Sequence, residues 1–516
     1  MPRPSVADRC AGFAVPLFSL RNRRDAGVGE ILDLIPLVRW GASFGQRVVQ
    51  LLPINETAPG EASPYNALSA FAIDPLYISL HAVRDAPPIV AAAPEDRRLP
   101  RESIRATKMA SLARAFEAFA QARASSRWRR FERFRKQQGE WLEDYALFRA
   151  LKDEQALGSW EGWPLPLRDR DPDALMQARR VLAERIDVLC FAQWVAAEQW
   201  AKVRRAAQAC RVWLKGDLPF VISRDSADVW AHQDEFDPQC SVGAPPDEFS
   251  ATGQSWGLPM YDWERIRAND FSWWRRRARQ ARELYDMFRI DHIIGFFRTY
   301  SIPDDPARER GFVPLGEAAQ REQGESFLRA VIEASEGALP IAEDLGTVPD
   351  WVRQTLHRFG VPGYKVFRWE RRDSVYFDPR DYDAISVATT GTHDTDSLVE
   401  WWRGLSSDER DNALAALGID PSPSAEMTSA LHREVLGRLY QAGSAFVILP
   451  LQDLFRWTER INVPGTPSPE NWNWRLPRPV EDLAADPAVQ ETTRTLRQLV
   501  RAAQRGMAAG ATAAAE

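Results

Sequence analysis

Three segments of this chain carry a carboxylate at the end of a strand-like run, with a neighbour able to tune it: RIDHIIGFF with Asp291, PIAEDLG with Glu343 and TTGTHDTD with Asp394. Breaking a glycosidic bond takes two carboxyl groups, one to protonate the leaving oxygen and one to attack the anomeric carbon or activate water. Arg289 precedes Asp291 by two residues, so on a strand the two side chains share a face. A guanidinium there keeps the carboxylate ionised, as a nucleophile requires, although a structural Arg–Asp pair at a strand end would read the same way. Glu343 follows an apolar run whose end should be dehydrated, which raises a carboxyl pKa toward that of a general acid. Its neighbour Asp344 points the other way, and the alternative for Glu343 is a cap on a helix starting near Thr347 or Pro349. Asp394, beside His393 and close to Thr392, suits binding of sugar hydroxyls or stabilisation of positive charge on the ring. A helix cap in a loop is the alternative there.

Other chemistries fit less well. His–Asp pairs at strand ends also serve metal-dependent hydrolases, but the chain has only six histidines, none in HxH or HExxH. It has no GxSxG, no cysteine at a strand end beside a histidine, and no Gly-rich phosphate cradle. Neither a metal nor a cofactor is expected.

The elements that must position these residues can be counted. Eight short apolar or β-branched runs, separated by helical patterns, begin at Gly12, Arg47, Val212, Met287, Ala338, Gly363, Ile385 and Ala445. They predict an α/β fold, a (β/α)8 TIM barrel, whose chemistry belongs at the carboxyl ends of the strands. Asp217, Asp291, Glu343, Asp394 and Asp453 arrive at or just after those ends. An open doubly wound sheet is the weaker alternative, because no GxGxxG turn follows the first run. The stretch 56–211, between the second and third runs, predicts a large, mainly helical insertion over one rim of the barrel. Within it Leu112, Phe116 and Phe119, then Trp141, Tyr145 and Phe148, recur at helical spacing. The catalytic barrel is expected over 1–500, a surface loop from Ala86 to Pro100, and a low-complexity, disordered tail over 501–516.

Charged residues make up 27% of the chain, hydrophobic ones 45%, and the net charge is −6. That balance points away from nucleic acid and from acidic lipid surfaces. Two basic runs, from Arg127 and from Trp273, read as solvated helix faces. Four widely spaced cysteines predict a reducing compartment. AGFAVPLFSL near the start is broken by Pro16 and reads as a strand, not a signal. No run approaches the ~20 apolar residues of a membrane span, so a soluble, cytoplasmic protein is expected. The 20 tryptophans are numerous, and indole faces stack well on sugar rings.

PLFSLRNRRDAGVGE, VVQLLPINETAPGEASPYNALSAFAIDPLYI, KGDLPFVISRDSADVW, GAPPDEFSATGQSWGLPMYDW, RIDHIIGFF, AEDLG, TTGTHD and INVPGTPSPENWNWRLP occur in an order that resembles the amylomaltase or disproportionating-enzyme family, the 4-α-glucanotransferases of glycoside hydrolase family 77. The resemblance covers nearly the whole chain. It implies Asp291 as nucleophile, Glu343 as general acid/base and Asp394 as transition-state stabiliser, with Arg289 and His393 lining the donor subsite and Tyr65 as an aromatic wall. It also implies a loop over the cleft carrying Gln254 and Trp256, Asn462 and Pro464 bordering the site, and Asp217 as a further site residue. The implied substrates are maltooligosaccharides and α-1,4-glucans, with glucose or another glucan as acceptor; an α-amylase-like hydrolase and a silent glucan-binding protein are the competing readings. The chain departs from the usual pattern at Ile293, Ile294, Thr395 and Asp74, which bears on acceptor choice and on the share of hydrolysis.

Overall fold

The computed structural model describes residues 3–24, 26–87, 99–245, 253–421 and 424–506. The eight predicted runs all form strands, in chain order Cys10–Ala14, Val48–Gln50, Trp213–Leu218, Met287–Ile290, Leu339–Ala342, Gly363–Val366, Ser386–Thr389 and Phe446–Pro450. They make one parallel sheet in which the eighth strand returns to the first and every strand but one pairs with the next in sequence. The fifth and sixth strands share no ladder. Their seam is closed by the Ala342 N–H donating to the Pro362 carbonyl at 2.8 Å and the Tyr364 N–H donating to Asp344 Oδ1 at 2.7 Å.

Side-chain alternation along these strands builds two cores. Cys10, Val48, Trp213, Met287, Ile341, Tyr364, Val387 and Phe446 point inward and fill the lumen. Ala11, Phe13, Val49, Leu214, Phe288, Ala342, Ala388 and Val447 belong instead to the large outer core shared with the helices. Stepping two residues along the inward row leads from Trp213 through Lys215 to Asp217, from Met287 through Arg289 to Asp291, and from Ile341 to Glu343. Gly216 lies between the first two of these polar groups because a Cβ there would meet the Tyr285 ring at 2.2 Å.

The insertion after the second strand is helical: Arg101–Ala120, Ser126–Gln137, Gly139–Glu154, Pro172–Val181 and Ala183–Ala209. Ser125 caps the second of these by accepting the Trp128 N–H, and Asp171 with Pro172 starts the fourth. Phe116, Phe119, Phe131, Phe191 and Trp194 interlock in its interior. Buried ion pairs tie these helices to the loops that precede them in the chain: Lys108 Nζ to Glu30 at 2.5 Å, Arg149 to Glu56 at 3.0 Å and Arg105 to Asp74 at 2.8 Å. The last pair explains the acidic residue at position 74, which has a buried guanidinium to meet.

Three expectations need correction. GQSWGLPMY is not a loop but the strand Gln254–Tyr261, edge of an antiparallel sheet with Phe236–Ala244, Thr299–Pro303 and Gly311–Val313; the pairing partner lies on the other arm of a hairpin. The basic run from Trp273 is not wholly solvated, since Arg277 is 1% exposed. The C-terminal tail does not begin at 501: the helix Pro487–Ala502 continues to a fully buried Arg505, which donates to the carbonyls of Tyr440, Ala442, Ser444 and Ala445. Residues 507–516, like 88–98 of the expected surface loop, lie outside the described residues. Asp453 comes just after the eighth strand, as expected, and works in the framework there, accepting from the Thr390 hydroxyl and from the Leu398 N–H at 2.7 Å.

Candidate active site

The carboxyl ends of three adjacent strands are stitched by backbone hydrogen bonds. The Asp291 N–H donates to the Leu218 carbonyl at 3.1 Å, and the Glu343 N–H to the Ile290 carbonyl at 2.9 Å. This brings Asp217, Asp291 and Glu343 around one side chain. Arg289 Nη1 forks onto Asp217 at 2.9 and 3.0 Å, while its Nη2 lies 2.8 Å from Asp291 Oδ1 and 3.7 Å from Glu343 Oε2. The same-face placement expected for Arg289 and Asp291 is present, and the arginine serves three carboxylates at once.

Glu343 sits in the most consequential surroundings. It caps no helix, since the next one is Asp350–Arg358 with Pro349 at its N-cap. It accepts the His292 N–H at 2.7 Å, a donor aimed by the left-handed backbone of His292, φ 45°. Burial outweighs that bond and the pull of Arg289, and with the Asp291 charge it pushes the Glu343 carboxyl up to about 8. Asp344 faces away, held by the Tyr364 N–H and Arg353.

Asp394 has the opposite character. Burial pushes its pKa up, but His393 and an amide hydrogen bond from Asn462 more than offset this and pull it down to about 2. His393 Nε2 lies 3.2 Å from Oδ2, and Asn462 Nδ2 donates to Oδ1 at 2.6 Å. The cap of the following helix is Ser397, which leaves Asp394 free for the site.

Aromatic groups wall one side. Tyr65 stacks on His393 with centroids 5.1 Å apart, and Trp472 lies 5.6 Å from His393. The Tyr65 hydroxyl donates to Asp217 Oδ2 at 2.8 Å, which makes the phenol part of the Arg289 network. Its loop is anchored by Glu56, held by Arg149 and the Tyr145 hydroxyl of the insertion. Across the site, Trp256 meets the His292 ring edge to face at 5.0 Å. A cavity of about 180 Å³ opens here, lined among others by Arg289, Glu343, Tyr364, Trp369, His393 and Asp394. Gln254 and Pro464 are exposed, and no contact joins either to the carboxylates among the described residues.

Some participants carried little advance signal. Arg460 donates to the Asp394 and Asn462 carbonyls and pairs with Asp396 at 2.7 Å, binding two loops that are distant in the chain. Its position two residues before Asn462 is the only hint. Beneath the site, Lys215 is fully buried and donates to Gln50 Oε1 at 2.8 Å and to the Tyr364 hydroxyl. Period-two alternation back from Asp217 is the signal that could have found it. Thr395 closes a tight turn, its hydroxyl donating to the Thr392 carbonyl at 3.0 Å and accepting the Thr392 N–H.

Three carboxyl groups gathered on one buried arginine at the mouth of a parallel barrel, with Asp394 lining the same cavity, form a site suited to acting on glycosidic bonds. Residues 15–481 match the family model of glycoside hydrolase family 77, described as 4-alpha-glucanotransferase. A 4-alpha-glucanotransferase of Chlamydia pneumoniae is 34% identical over 92% of each chain, and that of Thermus thermophilus is 35% identical over 87% of this chain and 91% of its own. Among solved structures, amylomaltase from Streptococcus agalactiae in complex with acarbose superposes with a TM-score of 0.85 at 25% identity, covering 97% of this chain and all of that one. Amylomaltase from Corynebacterium glutamicum shares the fold with a TM-score of 0.76 at 21% identity, over 95% of this chain and 75% of that one. The chain belongs to the 4-α-glucanotransferase family and is a 4-α-glucanotransferase acting on α-1,4-glucans. No helix among the described residues is long and apolar enough to cross a membrane.

Proposed function

We propose that Asp291 is the nucleophile, Glu343 the general acid and base, and Asp394 the stabiliser of the transition state in a retaining double displacement. The observation that carries this reading is the single Arg289 Nη2 within 2.8 Å of Asp291 and 3.7 Å of Glu343. Laid end to end, those distances keep the nearest oxygens at or below the lower edge of the roughly 6.5–9.5 Å that an inverting pair needs. A nucleophile and an acid must also differ in protonation, and burial that holds Glu343 neutral supports that division.

In the first step an Asp291 oxygen attacks the anomeric carbon of the donor, the glycosidic C–O bond breaks, and the Glu343 proton passes to the leaving 4-oxygen. Asp394, ionised throughout the working pH range, faces the positive charge that develops on the ring. In the second step Glu343, now a carboxylate, takes the proton of an acceptor hydroxyl, whose oxygen displaces Asp291. The acceptor is the 4-OH of glucose or of another glucan, and held in place it outcompetes water by effective concentration. Water taking the intermediate instead is the hydrolytic side reaction. Tyr65, His393, Asp217, Arg289 and Trp256 bind the glucan, with Gln254, Asn462 and Pro464 at the borders of the groove. The acarbose carried by the streptococcal relative supports maltooligosaccharide-sized ligands here. The insertion within 56–211 holds the Tyr65 loop. Unpaired and mostly buried thiols support a reducing, cytoplasmic setting.

Maltotriose tests the mechanism. Longer maltooligosaccharides and free glucose are expected, with α-linkages in every new bond; β-configured first products would overturn retention. Asp291→Asn should fold normally and lose turnover, and retained turnover would remove Asp291 from its role.

A further inference from the structure

Arg277 lies in the basic run of the helix Ser272–Leu284, yet it is 1% exposed. Its guanidinium stacks over Trp274 at 4.1 Å and Trp273 at 4.9 Å, and Nε and Nη1 have no hydrogen-bond partner. A buried cation is costly unless it is paired, and no carboxylate pairs with this one at short range. Its one hydrogen bond runs from Nη2 to the Pro219 carbonyl at 2.9 Å. The other end of that same peptide group is the Phe220 N–H, which donates to Asp291 Oδ2 at 3.3 Å.

We propose that Arg277 is a positioning residue for the nucleophile, acting through the Pro219–Phe220 peptide. A cation on the carbonyl oxygen withdraws electron density across the amide, so the N–H becomes a stronger donor to the carboxylate beyond it. The peptide is also fixed in orientation, because the next carbonyl, of Phe220, accepts the Tyr261 hydroxyl at 2.7 Å. Asp291 thus has one oxygen on Arg289 and the other on a polarised N–H, and this two-point hold sets the angle from which it meets the anomeric carbon.

The inference rests on Asp291 being the nucleophile. Its test is the rate of glycosyl-enzyme formation, read as fluoride release from α-maltosyl fluoride, with KM and Tm measured alongside for Arg277→Met, Arg277→Lys and Trp274→Phe. Arg277→Met should slow release on the order of three- to tenfold with KM changed by less than about twofold. Arg277→Lys, which keeps a charged donor, should recover most of the rate. Trp274→Phe, which disturbs the packing and keeps the guanidinium, should lower Tm without slowing release. A wild-type rate in Arg277→Met, or losses that follow Tm through all three variants, would overturn the proposal. Should Arg277→Met not fold, phenyllactic acid in place of Phe220 turns the amide into an ester, which removes the N–H and weakens the carbonyl as an acceptor. A slower rate in that protein supports the proposal and an unchanged rate overturns it. Turnover in Asp291→Asn would strike the nucleophile assignment itself, whatever the Arg277 variants do.

Discussion

Asn462 Nδ2 donates to Asp394 Oδ1 at 2.6 Å, joining two loops separated by 68 residues of chain. The bond favours the charged carboxylate and aims it. Asn462→Ala should therefore cost on the order of ten- to a hundredfold in kcat, the worth of one hydrogen bond to a charged group. Steady-state kinetics on maltotriose with a Tm control checks it. A loss confined to KM would mean that Asn462 binds sugar and leaves Asp394 unaffected.

Glu343 carries the pH dependence. Its carboxyl is pushed up to about 8, so the neutral form that protonates the leaving oxygen persists through neutral pH and disappears as pH rises past that value. The basic limb of the kcat/KM profile should fall with an apparent pKa near 8. Asp394, at about 2, should contribute no limb above pH 3. Glu343→Gln should lose turnover and with it the basic limb.

Tyr65 joins binding to electrostatics, since one face stacks on His393 while its hydroxyl donates to Asp217. Tyr65→Phe keeps the stacking face and loses one hydrogen bond to a buried carboxylate, so a several-fold rise in KM is expected. Tyr65→Ala removes the wall and should weaken both donor binding and transfer, seen as a larger share of reducing sugar released by hydrolysis. Equal behaviour of the two variants would argue against the wall.

Arg505 makes a prediction about stability alone. Arg505→Met leaves several buried carbonyls without their donor and should destabilise the fold by about 3 kcal/mol, lowering Tm by several degrees with kcat unchanged. A silent substitution would show that this C-terminal segment is dispensable to the barrel.

How much of this was legible in sequence depends on how local the signal is. The eight strands follow from apolar runs ended by turns, and period two then carries Asp217, Arg289, Asp291 and Glu343 to the inner face. The helical insertion showed itself through residues such as Phe116 and Tyr145. Pairings between distant segments left no such mark. Nothing near Gln254 reveals that it pairs with Ala244 across a hairpin, and the run WWRRRAR looks solvated because helical periodicity does not report that Pro219 waits behind Arg277. Asp74 was visible as a departure, but its cause, Arg105, sits on another element. Arg460 was hidden for the same reason.

The seam between the fifth and sixth strands has a bearing on motion. Seven strand interfaces are ladders and this one hangs on the Ala342 and Tyr364 amides, so the cylinder has a single weak stave joint. Amide protons at Ala342 and Tyr364 are expected to exchange with solvent deuterium at a lower opening energy than those of the other seven interfaces. Glu343 stands on the lip of that joint. Warming should loosen the spacing between acid and nucleophile before the chain unfolds, and the enzyme should lose activity at temperatures where its circular dichroism is still intact.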